Sequence, residues 1–414
     1  MQNVVVDKPY EFIPPVHGNI WPAVMKLYLR RYLRKKWSIE SVQCRGAERL
    51  EASLAAGHGI ILTPNHCRLS DPLVLGELAK KVGVNLYAMA SWHTFQEDRF
   101  TRFMIRRMGA FSLYREGTDR QAINTAVEIL IEGRRPLVIF PEGAISRHND
   151  RLMSLMDGVA LIARTAAKRR LKLDPPRQTV ILPVATRYFF RGDLEATVNP
   201  VLSRLETHLT WRPRTHLPII ERMAALGRAM IALKEVEYLG AVQPGGLFDR
   251  VESLIEKILQ PLEEEWKIRH REANVVGRVK NVRAAILPGM VQNKISPEER
   301  ERRWQQLAAC YYAQQISHYP RDYLPAERPS VDRVLETVER MAEDLTGELP
   351  SRGPLHAVIQ VGESISVNLD EDRRAETDRI MGAMRSQLQG MLDELALESR
   401  PYENGRTAAA DGTT

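Results

Sequence analysis

The sequence has few cysteines and no long apolar run. Its three cysteines are widely separated within 414 residues (Cys44, Cys67 and Cys310). Their number and spacing predict neither a disulfide framework nor a zinc site, and they fit a reducing cytoplasm. The longest apolar stretch, 307–313, is far shorter than the roughly 20 residues that cross a bilayer. We therefore expect no membrane-spanning helix, and the charged segment 1–12 does not resemble a secretory signal peptide.

Positive charge exceeds negative charge along the chain. The formal net charge is +7 and the isoelectric point is about 9.3, which favours anionic partners such as nucleic acid, phosphorylated small molecules or anionic lipid. The excess is spread out, without a long Lys/Arg run or an aromatic RNA-binding motif. Nucleic acid is therefore the weakest of these alternatives, and we expect no nucleic-acid partner.

Residues 21–37 are predicted to form a basic amphipathic helix. An apolar stripe at helical spacing comprises Trp21, Val24, Met25, Tyr28 and Tyr32. Basic residues away from this stripe are Lys26, Arg30 and Arg34. Such a helix either packs its apolar face on a domain core or lies in an anionic lipid surface with its aromatic residues at the headgroups. Helical periodicity does not distinguish these two interpretations.

From about residue 42 to residue 187, short apolar strands alternate with amphipathic helices. Strands are predicted at 59–63, 84–89, 110–113, 136–140 and 178–184. Helices are predicted at 72–81, 91–108, 118–132 and 158–170. This alternation predicts an α/β fold with a mainly parallel sheet flanked by helices.

The remainder of the chain is predicted to be largely helical. Long helical segments extend from about 202 to 349, with breaks predicted at Pro261, Pro288 and Pro297, and no internal repeat is evident. A strand-like run returns at 357–367 and a helix follows at 371–397. The predicted divisions are 1–41, an N-terminal basic amphipathic helix region; 42–201, the α/β core; 202–350, a helical insertion; 351–370, a returning strand of the core; 371–399, a C-terminal helix; and 400–414, a disordered tail.

A histidine follows the predicted strand 59–63 at its carboxyl end, where open α/β sheets bind their ligands. His66 could take a proton from a hydroxyl group. Asp71, at the start of the next helix, could hold the other ring nitrogen and fix the tautomer. This His-x4-Asp spacing is weak evidence by itself, because short motifs often match by chance.

Two further polar segments follow predicted strands and should meet the same sheet edge. Arg115 ends the run Gly109-Ala110-Phe111-Ser112-Leu113-Tyr114-Arg115. The second segment is Phe140-Pro141-Glu142-Gly143-Ala144-Ile145-Ser146-Arg147. An arginine in such a position could hold a phosphate group through two parallel hydrogen bonds.

In this order, the segments resemble the lysophosphatidate and glycerol-3-phosphate acyltransferase superfamily. The matching blocks are Asn65-His66-x4-Asp71, Gly109-x-Phe111-x3-Arg115, Phe140-Pro141-Glu142-Gly143 with Ser146-Arg147, and Ile181-Leu182-Pro183-Val184. The resemblance covers about 42–187 and, more loosely, the strand at 361–363. It differs from the usual pattern at Ser112, at Ala144 and at Met156-Asp157-Gly158, where an aromatic-Lys-Gly is typical.

The resemblance implies that His66 is the general base and Asp71 its orienting partner. The substrate-binding residues that it implies are Asn65, Gly109, Arg115, Phe140, Pro141, Glu142, Gly143, Ser146 and Arg147. The expected reaction moves a fatty acyl group from acyl-CoA or acyl-ACP to a hydroxyl of a lysophosphatidate-like or glycerophosphate-like acceptor, without a metal or other cofactor. The expected location is cytoplasmic and peripheral on an anionic membrane surface.

Three alternatives remain open from the sequence. Cys67, beside His66, could act as a covalent nucleophile. The protein could instead be a fatty-acyl thioesterase that releases the acyl group to water. It could also be a lipid-binding or scaffold protein that keeps the fold.

Overall fold

The computed structural model describes residues 8–210, 212–268, 274–292, 294–324, 329–348 and 353–403. The chain forms two compact units. One comprises Tyr10–Phe189 and Leu355–Glu398, and the other comprises Met1–Pro9, Phe190–Pro354 and Ser399–Thr414. The second unit therefore begins before the predicted boundary at residue 202. Most of the predicted disordered tail, 404–414, lies outside the described residues.

The first unit is an α/β fold built on an eight-stranded sheet, as the sequence predicts. Its strands are β1 Ile39–Arg45, β2 Gly59–Pro64, β3 Tyr87–Ser91, β4 Ala110–Leu113, β5 Leu137–Val138, β6 Thr179–Phe190, β7 Leu355–Val361 and β8 Ile365–Ser366. The order is β1-β7-β6-β2-β5-β3-β4, with β8 beside β6. The pairs β1–β7, β6–β2, β2–β5, β5–β3 and β3–β4 are parallel, whereas β8 is antiparallel to β6. Strand β7 thus returns from late in the chain into the interior of the sheet.

Thirteen α-helices occur among the described residues. They are α1 Ile20–Trp37, α2 Ala47–Ala55, α3 Asp71–Val82, α4 Arg99–Arg107, α5 Arg120–Glu132, α6 Gly158–Arg170, α7 Leu194–Thr210, α8 Ile219–Leu239, α9 Leu247–Glu265, α10 Val275–Val291, α11 Pro297–Ile316, α12 Val331–Thr346 and α13 Arg373–Ala396. Helices α5, α6 and α13 bury their apolar faces in the main core of the first unit. This core fixes the sheet that carries the candidate site.

Two predicted features of the helices were wrong. The predicted helix 91–108 is instead a short 3-10 helix, Trp92–Gln96, followed by α4. The break occurs at Asp98, whose side chain accepts a hydrogen bond from the Thr101 amide and so begins a new helix. Pro261 and Pro288 lie inside α9 and α10 and do not end them, because buried apolar side chains on both sides of each proline hold the helices together. Pro297 does begin α11.

Strand β6 is longer than the predicted strand 178–184. Thr186 and Arg187 interrupt the apolar run after Val184, but every residue of β6 is buried up to Phe190. The Arg187 guanidinium is buried because it pairs with the Asp150 carboxylate at 3.1 Å. A buried ion pair therefore lets the strand continue past a charged residue.

Helix α1 is buried on a face other than the predicted stripe. Its buried residues are Pro22, Leu29 and Leu33, and it packs on α3 and β1. Val24, Tyr28 and Tyr32 of the predicted stripe are exposed. The helix therefore has one apolar face on the core and another toward solvent. Within the described part of the chain, no helix is both long and apolar enough to cross a bilayer.

The second unit is an assembly of helices α7 to α12 with its own apolar core. A glutamate near the end of one helix pairs with an arginine in the first turn of the next at three connections. The pairs are Glu206–Arg222 at 2.8 Å, Glu235–Arg250 at 2.6 Å and Glu263–Arg278 at 2.8 Å. All six side chains are largely buried, so each of these ion pairs holds two consecutive helices together. This recurrence of contacts is not visible as a sequence repeat.

We expect Arg222→Met to lower the free energy of unfolding by about 3–5 kcal/mol, because it leaves the Glu206 carboxylate buried without its cation. Arg302→Met is the matched control, since Arg302 pairs with glutamates at the surface and such pairs contribute up to about 1 kcal/mol. Urea unfolding followed by circular dichroism measures both. Equal losses in the two variants would contradict the role of burial.

Candidate active site

Three polar segments meet at the carboxyl edge of the sheet. The loop after β2 carries His66, the loop after β5 carries Glu142, and the turn after β4 carries Arg115. The His66 amide donates to Glu142 Oε1 at 2.7 Å, and the Ser146 amide donates to the His66 carbonyl at 2.7 Å. Arg115 Nη2 donates to the carbonyl of Gly143. The convergence expected from the sequence is therefore present as direct contacts.

His66 and Asp71 form a hydrogen-bonded pair. His66 Nδ1 lies 2.9 Å from Asp71 Oδ2, and the Arg68 amide donates to the same oxygen at 2.9 Å. Because a carboxylate only accepts hydrogen bonds, Nδ1 carries the hydrogen, and in the neutral imidazole Nε2 then presents its lone pair. Asp71 is fully buried, whereas the His66 side chain remains 16% exposed. The geometry is that of a base held by a buried carboxylate.

The imidazole of His66 is held on its face as well as at Nδ1. The Phe140 ring stacks on it with centroids 4.1 Å apart and 30° between the planes. The backbone of His66 is fixed on both sides, by Glu142 at its amide and by Ser146 at its carbonyl. Contacts at Nδ1, at the face of the ring and at the backbone of His66 together hold the imidazole in one orientation.

Glu142 is buried beneath the loop that carries His66. Oε1 accepts from the His66 amide, and Oε2 accepts from the Met153 amide at 2.9 Å. Burial raises the pKa of the Glu142 carboxyl from 4.5 to about 7, although the two amide donors oppose that increase. Through these contacts Glu142 holds the backbone of the loop that carries His66. Its direct contact with an acceptor stays a prediction.

Gly143 adopts a backbone conformation that favours glycine. Its φ is +66°, and an added Cβ would lie 2.4 Å from the Met156 sulfur. The Met156 amide donates to the Pro141 carbonyl at 2.8 Å. Met156 therefore packs directly on the loop that binds Arg115. An aromatic residue is typical of the family at this position.

The other predicted site residues occupy different positions. Asn65 is buried and bonds in both directions to the backbone of Thr186, so it joins the loop that carries His66 to β6. Pro141 and Ser146 are also buried, while Arg147 is partly exposed and has a φ of 61°. Gly109 precedes the amino end of β4, at the edge away from His66, and an added Cβ would lie 2.6 Å from the Leu86 carbonyl oxygen. The structure does not bring Gly109 together with the other site residues.

Ser112, a departure from the family pattern, binds the segment that precedes α1. Its Oγ accepts from the Ile13 amide at 2.8 Å and lies 3.0 Å from the Tyr10 hydroxyl. The Ser112 amide donates to the Ile13 carbonyl at 3.0 Å. The serine therefore replaces an apolar contact with hydrogen bonds to the N-terminal segment.

Two further residues contact Asp71 Oδ1: Tyr188, which the sequence did not identify as a site residue, and Cys67, which it left open as a nucleophile. The Tyr188 hydroxyl donates to this oxygen at 2.6 Å, and Cys67 Sγ lies 3.8 Å away. Tyr188 follows the block 181–184 within β6, but nothing in its spacing marks it as a neighbour of Asp71. The Cys67 thiol is buried and is also 3.8 Å from the Thr186 carbonyl oxygen. This position favours Cys67 as a hydrogen-bond donor over a nucleophile at the exposed edge.

Residues 41–187 match the model of the Acyltransferase family, which is the family of the lysophosphatidate and glycerolipid acyltransferases. The matched range begins in β1 and ends in β6, and it contains His66, Asp71, Arg115 and Glu142. No curated protein matches the chain. The resemblance drawn from the sequence blocks is confirmed, and residues 41–187 form an acyltransferase domain.

The raised pKa of Glu142 predicts a pH-dependent stability. A carboxyl group with a higher pKa in the folded state stabilises the fold fully below its unfolded pKa, and this contribution is lost as the pH rises through about 7. We expect the free energy of unfolding of the wild type to fall by about 3 kcal/mol relative to Glu142→Gln between about pH 4.5 and pH 8. Urea titrations across this range measure the difference.

The matched control is Glu51→Gln, because Glu51 is an exposed glutamate on α2 of the same unit. Its stability should remain parallel to that of the wild type at every pH. If the Glu142→Gln curve is also parallel to the wild type, the carboxyl does not change its charge in this range.

Proposed function

We propose, starting from the acyltransferase domain of residues 41–187, that this protein is an O-acyltransferase acting on a lipid acceptor. The acyl group comes from acyl-CoA or acyl-ACP and goes to a hydroxyl of a lysophosphatidate-like or glycerophosphate-like acceptor. The observation that carries the proposal is the pair of His66 Nδ1 and Asp71 Oδ2, 2.9 Å apart, with the other ring nitrogen available for a hydroxyl proton.

His66 acts as a general base in this reaction. Nε2 takes the proton of the acceptor hydroxyl while its oxygen attacks the thioester carbonyl carbon. The tetrahedral intermediate then collapses, the carbon–sulfur bond breaks, and the thiolate takes the proton back from the imidazolium. Asp71 stabilises the positive charge on His66 between these two steps. The acyl group moves directly to the acceptor, without an acyl-enzyme.

The phosphate of the acceptor binds near Arg115 in this proposal. Arg115 lies at the loop of Gly143, which is the loop that also positions His66 through Glu142. A guanidinium matches the geometry of phosphate oxygens. Arg147, on the same loop, is a second cation for the acceptor. In this proposal the anionic end of the acceptor lies beside the base that activates its hydroxyl.

We expect His66→Ala to lower kcat by about 10²–10⁴-fold, because it removes the proton acceptor. Asp71→Asn should cause a smaller loss, since the imidazole remains but its tautomer and orientation are no longer fixed. The measurement is mass spectrometry of the products formed from acyl thioesters and a panel of lyso-lipid and glycerophosphate acceptors.

His58→Ala is the matched control, because His58 directly precedes β2 and so lies at the opposite edge of the sheet from His66. It should transfer acyl groups as the wild type does. Activity of His66→Ala equal to the wild type would overturn the mechanism. Release of free fatty acid at the same rate with and without acceptor would identify a thioesterase, and binding of acyl lipid without turnover would identify a lipid-binding protein.

We further propose that the protein acts at an anionic membrane surface through α1. The solvent-facing side of α1 carries Ile20, Val24, Leu27 and Tyr28, with Leu27 78% exposed. Arg31 and Lys35 continue this side of the helix at helical spacing and are exposed. Apolar side chains followed by basic residues on one exposed face are typical of a helix that lies in a lipid interface.

Helix α4 extends this surface. None of its nine side chains is buried, Phe100 is 72% exposed, and the helix contains four arginines and no acidic residue. The Phe103 ring meets the Trp21 ring of α1 edge to face, with centroids 5.3 Å apart. The two helices therefore present one apolar and basic surface, and such patches mark interaction sites. We call it the α1–α4 surface.

We expect the triple variant Arg31→Glu, Arg34→Glu, Lys35→Glu to lose binding to anionic vesicles, because basic residues near such a surface contribute about 1 kcal/mol each. Arg30 is left unchanged because it pairs with the buried Glu77 carboxylate at 3.1 Å. Turnover on a vesicle-borne acceptor should fall, while turnover on a soluble short-chain acceptor should not. Vesicle flotation measures binding. Raising the salt concentration should also weaken the binding of the wild type to anionic vesicles, because salt screens the charges.

The charge control reverses three exposed basic residues elsewhere in the same unit, Lys172, Arg373 and Arg374. It changes the net charge equally and should still float with the vesicles. For the apolar part, Leu27→Ser should weaken binding, whereas Leu233→Ser, at an exposed apolar residue of α8, should not. Unchanged flotation of the triple variant would place the membrane contact outside α1.

A further inference from the structure

The carboxylate of Asp71 has a second oxygen that does not face His66. Asp71 Oδ1 accepts a hydrogen bond from the Tyr188 hydroxyl at 2.6 Å and lies 3.8 Å from Cys67 Sγ. Oδ2 accepts from His66 Nδ1 and from the Arg68 amide, both at 2.9 Å. Each oxygen thus has its own set of donors, and Tyr188 is the strong donor on the side away from the base.

Tyr188 is held in place independently of Asp71. Its amide donates to Asn149 Oδ1 at 2.7 Å, and the side-chain nitrogen of Asn149 donates to its carbonyl. The Tyr188 ring lies under the Arg68 guanidinium, 5.3 Å from the ring centroid. Its hydroxyl is also 3.2 Å from Ser70 Oγ. The position of the phenol is therefore set by β6 and the surrounding side chains, in addition to its hydrogen bond to the carboxylate.

The phenol remains a neutral donor in this environment. Tyr188 is fully buried, and this burial, with the negative charge of Asp71 beside it, raises the pKa of its hydroxyl well above the ordinary value. A hydroxyl that keeps its proton remains a hydrogen-bond donor to Asp71. The other ionisable groups around Asp71 are His66, Cys67, Arg68 and, more distantly, Glu142.

We infer that Tyr188 is a positioning residue for the transfer reaction, which acts on His66 through Asp71; this inference rests on the proposed function. Its hydrogen bond fixes the carboxylate in the rotamer that directs Oδ2 at His66 Nδ1. It also shares the negative charge of the carboxylate, so that Asp71 stabilises the imidazolium without holding its proton too strongly. Tyr188 itself touches neither the acceptor hydroxyl nor the thioester in this role.

The sign of the pH effect follows from this sharing of charge. Without the hydroxyl, Asp71 keeps more of its negative charge at Oδ2 and attracts the protonated imidazole more strongly. The carboxylate then stabilises the protonated imidazole, which cannot act as a base, more strongly relative to the neutral one. The acidic limb of the pH profile of kcat/KM should consequently move to higher pH.

The test is Tyr188→Phe in the full-length protein, because phenylalanine keeps the buried ring and removes only the hydroxyl. We expect kcat to fall about tenfold, the loss that follows from one hydrogen bond to a charged group. The KM values for acyl donor and acceptor should remain within about twofold, since no substrate contact is removed. The acidic limb of kcat/KM should move upward by about half a pH unit or more, so that a higher pH restores part of the lost activity.

Tyr87→Phe is the matched control. Tyr87 is a buried tyrosine of β3 whose hydroxyl lies 2.7 Å from His17 Nδ1, so the variant removes a buried hydroxyl that bonds a histidine remote from Asp71. Its kcat and its pH profile should match the wild type. Thermal unfolding of both variants shows whether any loss comes from unfolded protein.

A double-mutant cycle tests whether Tyr188 acts through Asp71. In the Asp71→Asn background, Tyr188→Phe should change kcat by less than about twofold, because there is no carboxylate left to orient. An equal loss in both backgrounds would overturn the inference. Where the Asp71→Asn rate is too low to measure, the position of the acidic limb decides alone.

The two failures are distinguishable. If His66→Ala is inactive but Tyr188→Phe matches the wild type in kcat and in its acidic limb, the role of Tyr188 is overturned and the proposed function remains. If His66→Ala is as active as the wild type, the proposed function fails regardless of what Tyr188→Phe does.

Discussion

A carboxylate enclosed in protein is the constraint on which the candidate site depends. Asp71 is fully buried, and a buried negative charge is tolerated only where hydrogen-bond donors surround it. Its partners come from the loop after β2 and from β6, two segments more than a hundred residues apart in sequence. The hydrogen bonds that the buried Asp71 carboxylate requires therefore hold the loop of His66 against β6.

The sheet provides this meeting point because its central strands are parallel. Strands β6, β2 and β5 lie side by side, so the loops that follow β2 and β5 leave from the same edge, close to the end of β6. The side chains of Glu142 and Asn65 connect these segments through hydrogen bonds to the backbone. They give the edge the rigidity that the proposed general base requires. Short loops after these strands are then enough to bring the candidate binding residues to the edge of the sheet where His66 lies.

Helix α1 shows how one element can serve two surfaces. Leu29 and Leu33 bury one side of it on the α/β unit, while Leu27 and Tyr28 remain in solvent on another. The residues before it bond to Ser112 at the β4 edge. The helix is consequently anchored without using its exposed apolar side. A firmly packed helix with a spare apolar and basic face suits an enzyme whose proposed acceptor lies in a lipid surface.

Much of the α/β unit could be predicted from local patterns. Helix α6 has the predicted bounds, 158–170, and β2 has the predicted start at Gly59. The pairing of His66 with Asp71 followed from a spacing of a few residues and from the start of a helix. Such features depend on residues that are close together in the sequence, so local patterns are sufficient to predict them. The predicted break at Pro261 shows their limit, because burial of α9 overrides the local preference of proline.

Local sequence patterns were enough to predict the alternation of strands and helices, the proximity of His66 to Asp71 and the loops that follow the strands. Three contacts could be seen only in the folded protein: β7 enters the sheet between β1 and β6, Glu142 binds the backbone of His66, and Tyr188 completes the environment of Asp71. Each of these contacts joins segments far apart in the chain. They arise because buried polar groups must find partners wherever the packing of the core places them, and periodicity along the chain does not encode those partners.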